Sequence, residues 1–183
     1  MGSWSTPYGI LDADTDAIDT LLDAVPELRH DEYAAPHEHG IGALTPYIVR
    51  SFPNARLVPI ILDESLSANA AWKLGETIAT QLPDAIVFAS VDMTHNQTAE
   101  YTAANDARVL TLIENFGMCG GAPCAENLDI DSNASMRVLF GFNEGRDAYV
   151  WHRTHHGSSL AMGATLDWRE NTSHILGYFT KAD

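Results

Sequence analysis

Apolar side chains recur along several segments of this chain at intervals of three and four residues, the spacing of one face of an α-helix. The spacing predicts a helix that is capped by Asp14 or Thr15 and ended by Pro26. A second helix is predicted around Ile41–Ile48, where Pro46 is tolerated only near the first turns. Further helices are predicted over Ser67–Leu82, over Ala99–Asn115, and from Asp131 or Ser132 to Gly145.

Continuous apolar runs between these helices indicate β-strands. Leu57–Leu62 and Ile86–Val91 are such runs, and Ala148–Arg153 and His174–Phe179 are predicted to be the last strands. An unbroken run such as Ile86–Ala89 is typical of a strand that is buried on both faces of a parallel sheet. Because helices alternate with strands, the predicted class is α/β with a mostly parallel sheet, in a single domain over residues 1–183.

Two residues that could take part in catalysis or binding follow the run Ile86–Ala89. In open α/β folds, ligands bind in the crevice beyond the carboxyl ends of the strands. Asp92 and His95 stand at that end, so they are predicted to face a cleft. In the alternative interpretation, Asp92 caps the next turn and His95 lies on a loop.

The charge balance narrows the choice of partners. The chain has 25 acidic and 10 basic residues, a net charge of −15. Such a field repels phosphate, so nucleic acid and anionic membranes are not expected as partners. No run has the 18 or so apolar residues of a membrane span, and the first residues do not resemble a signal peptide, so a cytoplasmic location is expected.

The two cysteines, Cys119 and Cys124, flank a Gly-Gly-Ala-Pro turn. Three interpretations stay open: two free thiols, a metal or redox role, or a disulfide. A single pair in a chain expected to be cytoplasmic argues against a disulfide scaffold.

Histidines and carboxylates are the other candidates for chemistry, since together they form the ligand sets of iron, zinc and copper sites. The histidines are His30, His37, His39, His95, His152, His155, His156 and His174. The carboxylates near them in sequence are Glu38, Asp92, Asp129 and Asp131. A phosphate-binding glycine loop, a nucleophile elbow and an HExxH motif are all absent from the sequence.

Five segments, which run in order along nearly the whole chain, resemble the MEMO family, also called AmmeMemoRadiSam system protein B. They are Thr6–Gly9 with Asp12 and Asp14 (TP-x-G), Glu38–Ile41 with Pro46 (EHS…LPF), Pro53–Ile61 (PVLVG-type strand), Ala89–His95 (SSD-x-SH) and Thr172–Phe179 (terminal GY strand). The Glu-His and Asp-x-x-His segments together are fairly specific.

The resemblance implies a three-layer α/β/α fold like that of the class III extradiol ring-cleaving dioxygenases. Those enzymes bind Fe(II) with two histidines and a carboxylate and use a further histidine as acid and base, whereas MEMO proteins keep a pocket with two histidines and a cysteine. Some MEMO proteins bind iron or copper. By this similarity His95 is the acid–base histidine, Asp92 is its neighbour, and Glu38 and His39 line the same cleft.

The chain departs from the family in its metal ligands. It resembles only the C-terminal two-thirds of a MEMO domain, and the remaining third supplies both metal-binding histidines and central strands. The ligand cysteine matches either Cys119, by its Cys-Gly motif, or Asp131, by its distance from later segments. An exposed sheet edge is therefore expected, covered by an N-terminal partner chain or by a second copy.

Two functions follow from the resemblance. The first is metal-dependent oxidoreductase chemistry in a pocket similar to that of non-haem iron dioxygenases, with iron or copper as the possible cofactor. The second is a non-catalytic binding module or partner subunit that has lost the metal.

Overall fold

A computed structural model describes residues 2–144, 149–159, 163 and 171–181 of the chain. Its strands are β1 (Ser3–Thr6), β2 (Gly9–Asp12), β3 (Met118–Cys119), β4 (Ala122–Pro123), β5 (Tyr149–Ser158) and β6 (Ser173–Lys181). Its helices are α1 (Thr15–Ala24), α2 (Ala34–His37), α3 (His39–Ser51), α4 (Ala68–Gln81), α5 (Ala99–Glu114) and α6 (Asn133–Glu144). No helix in these ranges is long and apolar enough to cross a membrane.

The helices lie close to where the apolar spacing predicts them. The Asp14 carboxylate accepts the N–H of Ala17 and begins α1, and the Ser132 hydroxyl accepts the N–H of Ser135 at the start of α6. Both bonds satisfy backbone donors that a helix leaves unpaired in its first turn. The predicted end of α6 at Gly145 lies outside the described residues.

Pro46 lies in the middle of α3, well beyond the first turns. A proline at this position has no N–H to donate to the carbonyl of Gly42. The hydroxyl of Thr45 donates to that carbonyl instead, at 3.0 Å. The side chain one residue earlier therefore compensates for the bond that the proline removes.

The described residues contain three two-stranded antiparallel sheets, β1–β2, β3–β4 and β5–β6. The fold is thus a mixed α/β fold, and the described residues form no mostly parallel three-layer sheet. Leu57 makes a single parallel bridge with Ala13, and the runs Leu57–Leu62 and Ile86–Val91 belong to no sheet. The last two predicted strands do form, as one antiparallel hairpin, with Ala148 outside the described residues.

Segment Ile86–Val91 is not part of a sheet in the described residues and is not buried on both faces. Ile86 and Phe88 are 63% and 51% exposed, while Ala89 and Val91 pack against the core. The alternation shows that one face of this segment meets the core and the other meets solvent. The apolar run alone could not distinguish this one-sided burial from burial on both faces.

The chain divides into two compact units. In the unit of residues 1–63 and 81–84, a small core forms around Leu11, Ile48 and Val49. The unit of residues 64–80 and 85–183 has a larger core; its buried members are Trp72, Met93, Val109, Ile113, Leu128, Met136, Phe140 and Ile175. The single domain that the sequence predicts over residues 1–183 stays a prediction.

Candidate functional site

The candidate site lies where the segment that ends at Asp92 meets the start of β6. The bond from Met93 N–H to the carbonyl of Ser173 and an antiparallel bridge between His95 and Thr172 hold the two segments together. Asn96 then adopts a left-handed conformation (φ 54°), which asparagine tolerates better than most residues, and turns the chain towards α5. These contacts bring together side chains that are about 80 residues apart in sequence.

Asp92 stands between two histidines in this site. Its Oδ2 lies 3.6 Å from Nε2 of His95, and its Oδ1 lies 3.6 Å from Nδ1 of His174. These separations are ion-pair distances and exceed a hydrogen bond. The side chains of Asp92, His95 and His174 are 49%, 38% and 39% exposed, so all three are accessible to a ligand. We call these three residues the Asp–His–His cluster.

Thr172 fixes the ring of His95 from the other side. Its hydroxyl lies 3.2 Å from Nδ1 of His95. With Nδ1 engaged by a hydroxyl and Nε2 facing a carboxylate, the ring is held in one orientation. The Nε2 atom lies 3.6 Å from Asp92, beyond hydrogen-bond distance, so this carboxylate does not occupy it with a hydrogen bond.

The loop that carries Asp129 and Asp131 adjoins the cluster. The backbone N–H of Asp131 donates to the carbonyl of Asp92 at 3.0 Å, and the carbonyl of Asp129 accepts from Asn105 Nδ2 at 2.8 Å. The hydrogen bond between Tyr101 and the Asp129 carboxylate raises the pKa of Tyr101, and so does the negative charge of that carboxylate. The Asp131 side chain is exposed, and its role as a metal ligand stays a prediction.

Cys119 and Cys124 form a disulfide in the β3–β4 hairpin. Of the three interpretations of the cysteine pair, the structure contains the disulfide, and two free thiols are wrong. A disulfide sulfur is not a thiolate, so Cys119 as a metal ligand would first require reduction.

Glu38 and His39 belong to the other compact unit. The Glu38 carboxylate accepts the N–H of Gly40 at 2.7 Å and caps α3, while the His39 side chain is exposed to solvent. The observed role of Glu38 is therefore that of a helix cap. The predicted place of both residues in the cleft stays a prediction.

The described ranges contain no group of three or more histidine, cysteine, aspartate or glutamate side chains that could hold a metal ion. The Asp–His–His cluster has the residue types of that ligand set, two imidazoles and one carboxylate, but one nitrogen of each ring faces the carboxylate itself at 3.6 Å. The residues described here therefore do not fit a complete metal site of the dioxygenase type.

Comparisons with known proteins agree with the resemblance read from the sequence. A family model described as Memo-like protein matches residues 1–128, well over half of the chain. The chain belongs to the MEMO family. A MEMO1 family protein of Caldivirga maquilingensis is 30% identical over 155 residues, which cover 83% of this chain and 52% of that protein.

Two further MEMO1 family proteins show the same pattern. The protein of Methanosarcina mazei is 30% identical over 122 residues, 64% of this chain and 45% of that protein. The protein of Thermotoga maritima is 24% identical over 155 residues, 75% of this chain and 55% of that protein. This MEMO chain thus spans about half the length of the curated relatives that it matches.

The prediction from sequence included Asp92 and His95 but did not assign a role to His174 or Thr172. His174 begins the last predicted strand, and Thr172 lies two residues before it; both side chains are half-buried, next to the buried Ser173. No local signal marks these two residues, because half-buried polar side chains are common on the solvent-facing side of an antiparallel strand.

Proposed function

We propose that this MEMO chain contributes the acid–base part of a pocket, with His95 as the group that exchanges a proton with a bound ligand. The observation that supports the proposal is the placement of His95 between Asp92 and Thr172. Histidine as a residue type is suited to this role because the ordinary pKa of an imidazole lies near physiological pH. Asp92 orients the ring, and His174 faces the same carboxylate from the opposite side.

The oxidoreductase chemistry implied by the family would need a metal, and we infer that the described residues supply one of its ligands rather than a complete set. Asp131 is our candidate, because it is exposed and its backbone is bonded to that of Asp92. The other ligands would have to come from outside the described residues. The acid–base role of His95 is argued from this chain's own residues alone.

A titration with catechol tests the acid–base role, because catechol offers two ionisable hydroxyls on a ring. In protein labelled with ¹⁵N-histidine, we expect catechol to shift the imidazole signals of His95 and His174. His95→Gln is expected to weaken this binding at least about tenfold, the loss of roughly one hydrogen bond to a charged group. The imidazole nitrogen signals and the dissociation constant are the measured quantities.

The matched control is His155→Gln, which replaces an exposed histidine on β5. It is expected to bind catechol as the wild type does. If catechol shifts neither His95 nor His174, or if it binds His95→Gln with unchanged affinity, the acid–base role is wrong.

The alternative function, a partner subunit without its own chemistry, is favoured by a specific surface. Beside the cluster, Ile86 and Phe88 expose apolar side chains on one segment, and Leu176 and Tyr178 do so on β6, where they are 57% and 53% exposed. Asp92 lies at an alternate position after Ile86 and Phe88, and its carboxylate is 3.6 Å from His174. His174 in turn precedes Leu176 and Tyr178 at alternate positions of β6. Exposed apolar surface of this kind marks an interaction site.

We propose that a polypeptide corresponding to the other half of the MEMO domain covers this surface. The relatives that this chain matches are about twice the length of the matched segment, so half of their length has no counterpart in this chain. Extended backbone with exposed apolar side chains is suited to the addition of a further strand.

Co-expression tests this interface. The chain is produced with the half of the Caldivirga maquilingensis relative that lies outside the 155 matched residues. We expect co-purification with the wild type and its loss in Phe88→Glu, because a buried unpaired carboxylate is costly. Ile10→Glu, at an exposed apolar side chain of the other unit, is the control and is expected to bind normally.

Two results would contradict the proposed partner. One is co-purification that Phe88→Glu leaves intact. The other is a homodimer of the chain alone, seen by sedimentation and dissociated by Phe88→Glu, because a second copy would then be the occupant.

A further inference from the structure

A carboxylate buried beneath the Asp–His–His cluster has no role in the chemistry proposed above. Asp106, on α5, is almost completely buried. Its Oδ1 accepts hydrogen bonds from the hydroxyls of Thr94 at 3.0 Å and Ser173 at 2.7 Å, and its Oδ2 lies 3.0 Å from Nε2 of His156. A buried carboxylate is costly unless it is well bonded, and three donors surround this one.

The neighbouring bonds determine the direction of each hydrogen bond in the network. The Ser173 hydroxyl accepts the N–H of Thr94 at 2.9 Å, and the Thr94 hydroxyl accepts from Asn105 Nδ2 at 2.9 Å. Both hydroxyls therefore direct their protons to Asp106. Because the Asp106 carboxylate accepts from both hydroxyls, His156 is its third donor, through Nε2.

The donors to Asp106 are direct sequence neighbours of the site residues. Thr94 precedes His95, and Ser173 lies between Thr172 and His174. Asp106 is therefore hydrogen-bonded to both segments that carry the cluster, at Thr94 and at Ser173. Asp106 is hydrogen-bonded to Thr94, Ser173 and His156. Its influence on the cluster therefore passes through Thr94 and Ser173, the sequence neighbours of His95 and His174.

We propose that Asp106 is a positioning residue, which sets the placement of the His95 and His174 rings through the hydroxyls of Thr94 and Ser173. The functional importance of this positioning rests on the proposed acid–base role of His95. The placement of the two rings does not, because it can be measured without a ligand. His156 is the third arm of the network and links it to β5.

Asp106→Asn tests the inference, since it keeps the size of the side chain and removes its charge. We expect changed imidazole nitrogen shifts at His156, which loses its carboxylate, and also at His95 and His174. Amide hydrogen exchange at Thr94 and Ser173 is expected to accelerate about tenfold, the effect of weakening one buried hydrogen bond. His155→Gln, which replaces a neighbouring exposed histidine, is expected to change none of these signals.

Changed shifts at His156 alone, with the signals of His95 and His174 as in the wild type, would overturn the inference. If Asp106→Asn does not fold, Ser173→Ala removes one hydroxyl and keeps the carboxylate, and the same changes at His95 and His174 are expected. The acid–base role fails separately if catechol does not bind to the wild type. The positioning role of Asp106 would still hold in that case if Asp106→Asn changes the ligand-free imidazole signals of His95 and His174.

Discussion

Replacing Gly75 with alanine is expected to lower the free energy of unfolding by about 3 kcal/mol or more, the upper range for overpacking a core. A Cβ atom at Gly75 would lie 2.1 Å from the carbonyl oxygen of Val138 and 2.5 Å from the amide nitrogen of Phe142. Both are backbone atoms of α6, so no side-chain rotation relieves the clash. Helices α4 and α6 would have to move apart, with loss of the packing between them.

The contact is reciprocal, because a Cβ atom at Gly141 on α6 would lie 2.1 Å from the carbonyl oxygen of Trp72 on α4. Gly42→Ala on α3 is the matched control, since a Cβ atom there meets nothing within 4 Å. The control is expected to be stabilised by about 0.5 kcal/mol, as alanine is the better helix former.

Denaturant unfolding of the three proteins measures both effects. Unfolding of Gly75→Ala at the denaturant concentration of the wild type would show that the helices do not cross at this glycine. Destabilisation of Gly42→Ala by as much as Gly75→Ala would attribute the loss to glycine replacement in general.

Arg137→Met is expected to lower the free energy of unfolding by about 3 kcal/mol, within the range for removing one partner from a buried charged network. Its guanidinium donates to the carbonyls of Cys124, Ala125 and Glu126 and to the side chain of Asn127, at 2.9–3.3 Å. Burial also lowers the pKa of Arg137. Without the arginine, these acceptors lose their donors, and the loop after the disulfide loses its anchor.

Arg108→Met provides a control with the same change of charge. Arg108 pairs with Glu126, but both side chains are more than half exposed, at 54% and 63%. Such a surface pair contributes less than about 1 kcal/mol. Thermal and denaturant unfolding of both variants are the measurements, and equal losses would show that Arg137 does not anchor the loop.

The helices could be predicted from the sequence because their signals are local. The spacing of apolar residues and the caps at Asp14 and Ser132 require no knowledge of the rest of the fold. The pairing of the strands could not be predicted in this way, and the expected parallel sheet is replaced by antiparallel pairs in the described residues. Segment Ile86–Val91 has the composition of a central strand, but whether it pairs depends on a neighbour that local sequence does not reveal.

Only the local part of the candidate site could be predicted, again because local signals are visible in the sequence and contacts between distant segments are not. Asp92 and His95 are three residues apart and follow an apolar run, so the sequence places them together. His174 and Thr172 reach them only through the bridge to β6, a contact across nearly 80 residues. The Asp106 network is equally non-local, and its members have no shared motif.

The central claim is that Asp92 joins His95 and His174 into one site that receives a ligand. The imidazole nitrogen spectrum of Asp92→Asn, before and after addition of catechol, tests it most directly. We expect changed shifts at both histidines without ligand, and at least tenfold weaker catechol binding, because the group that faces both rings has lost its charge. Wild-type shifts at His95 and His174 together with unchanged catechol affinity would contradict the claim.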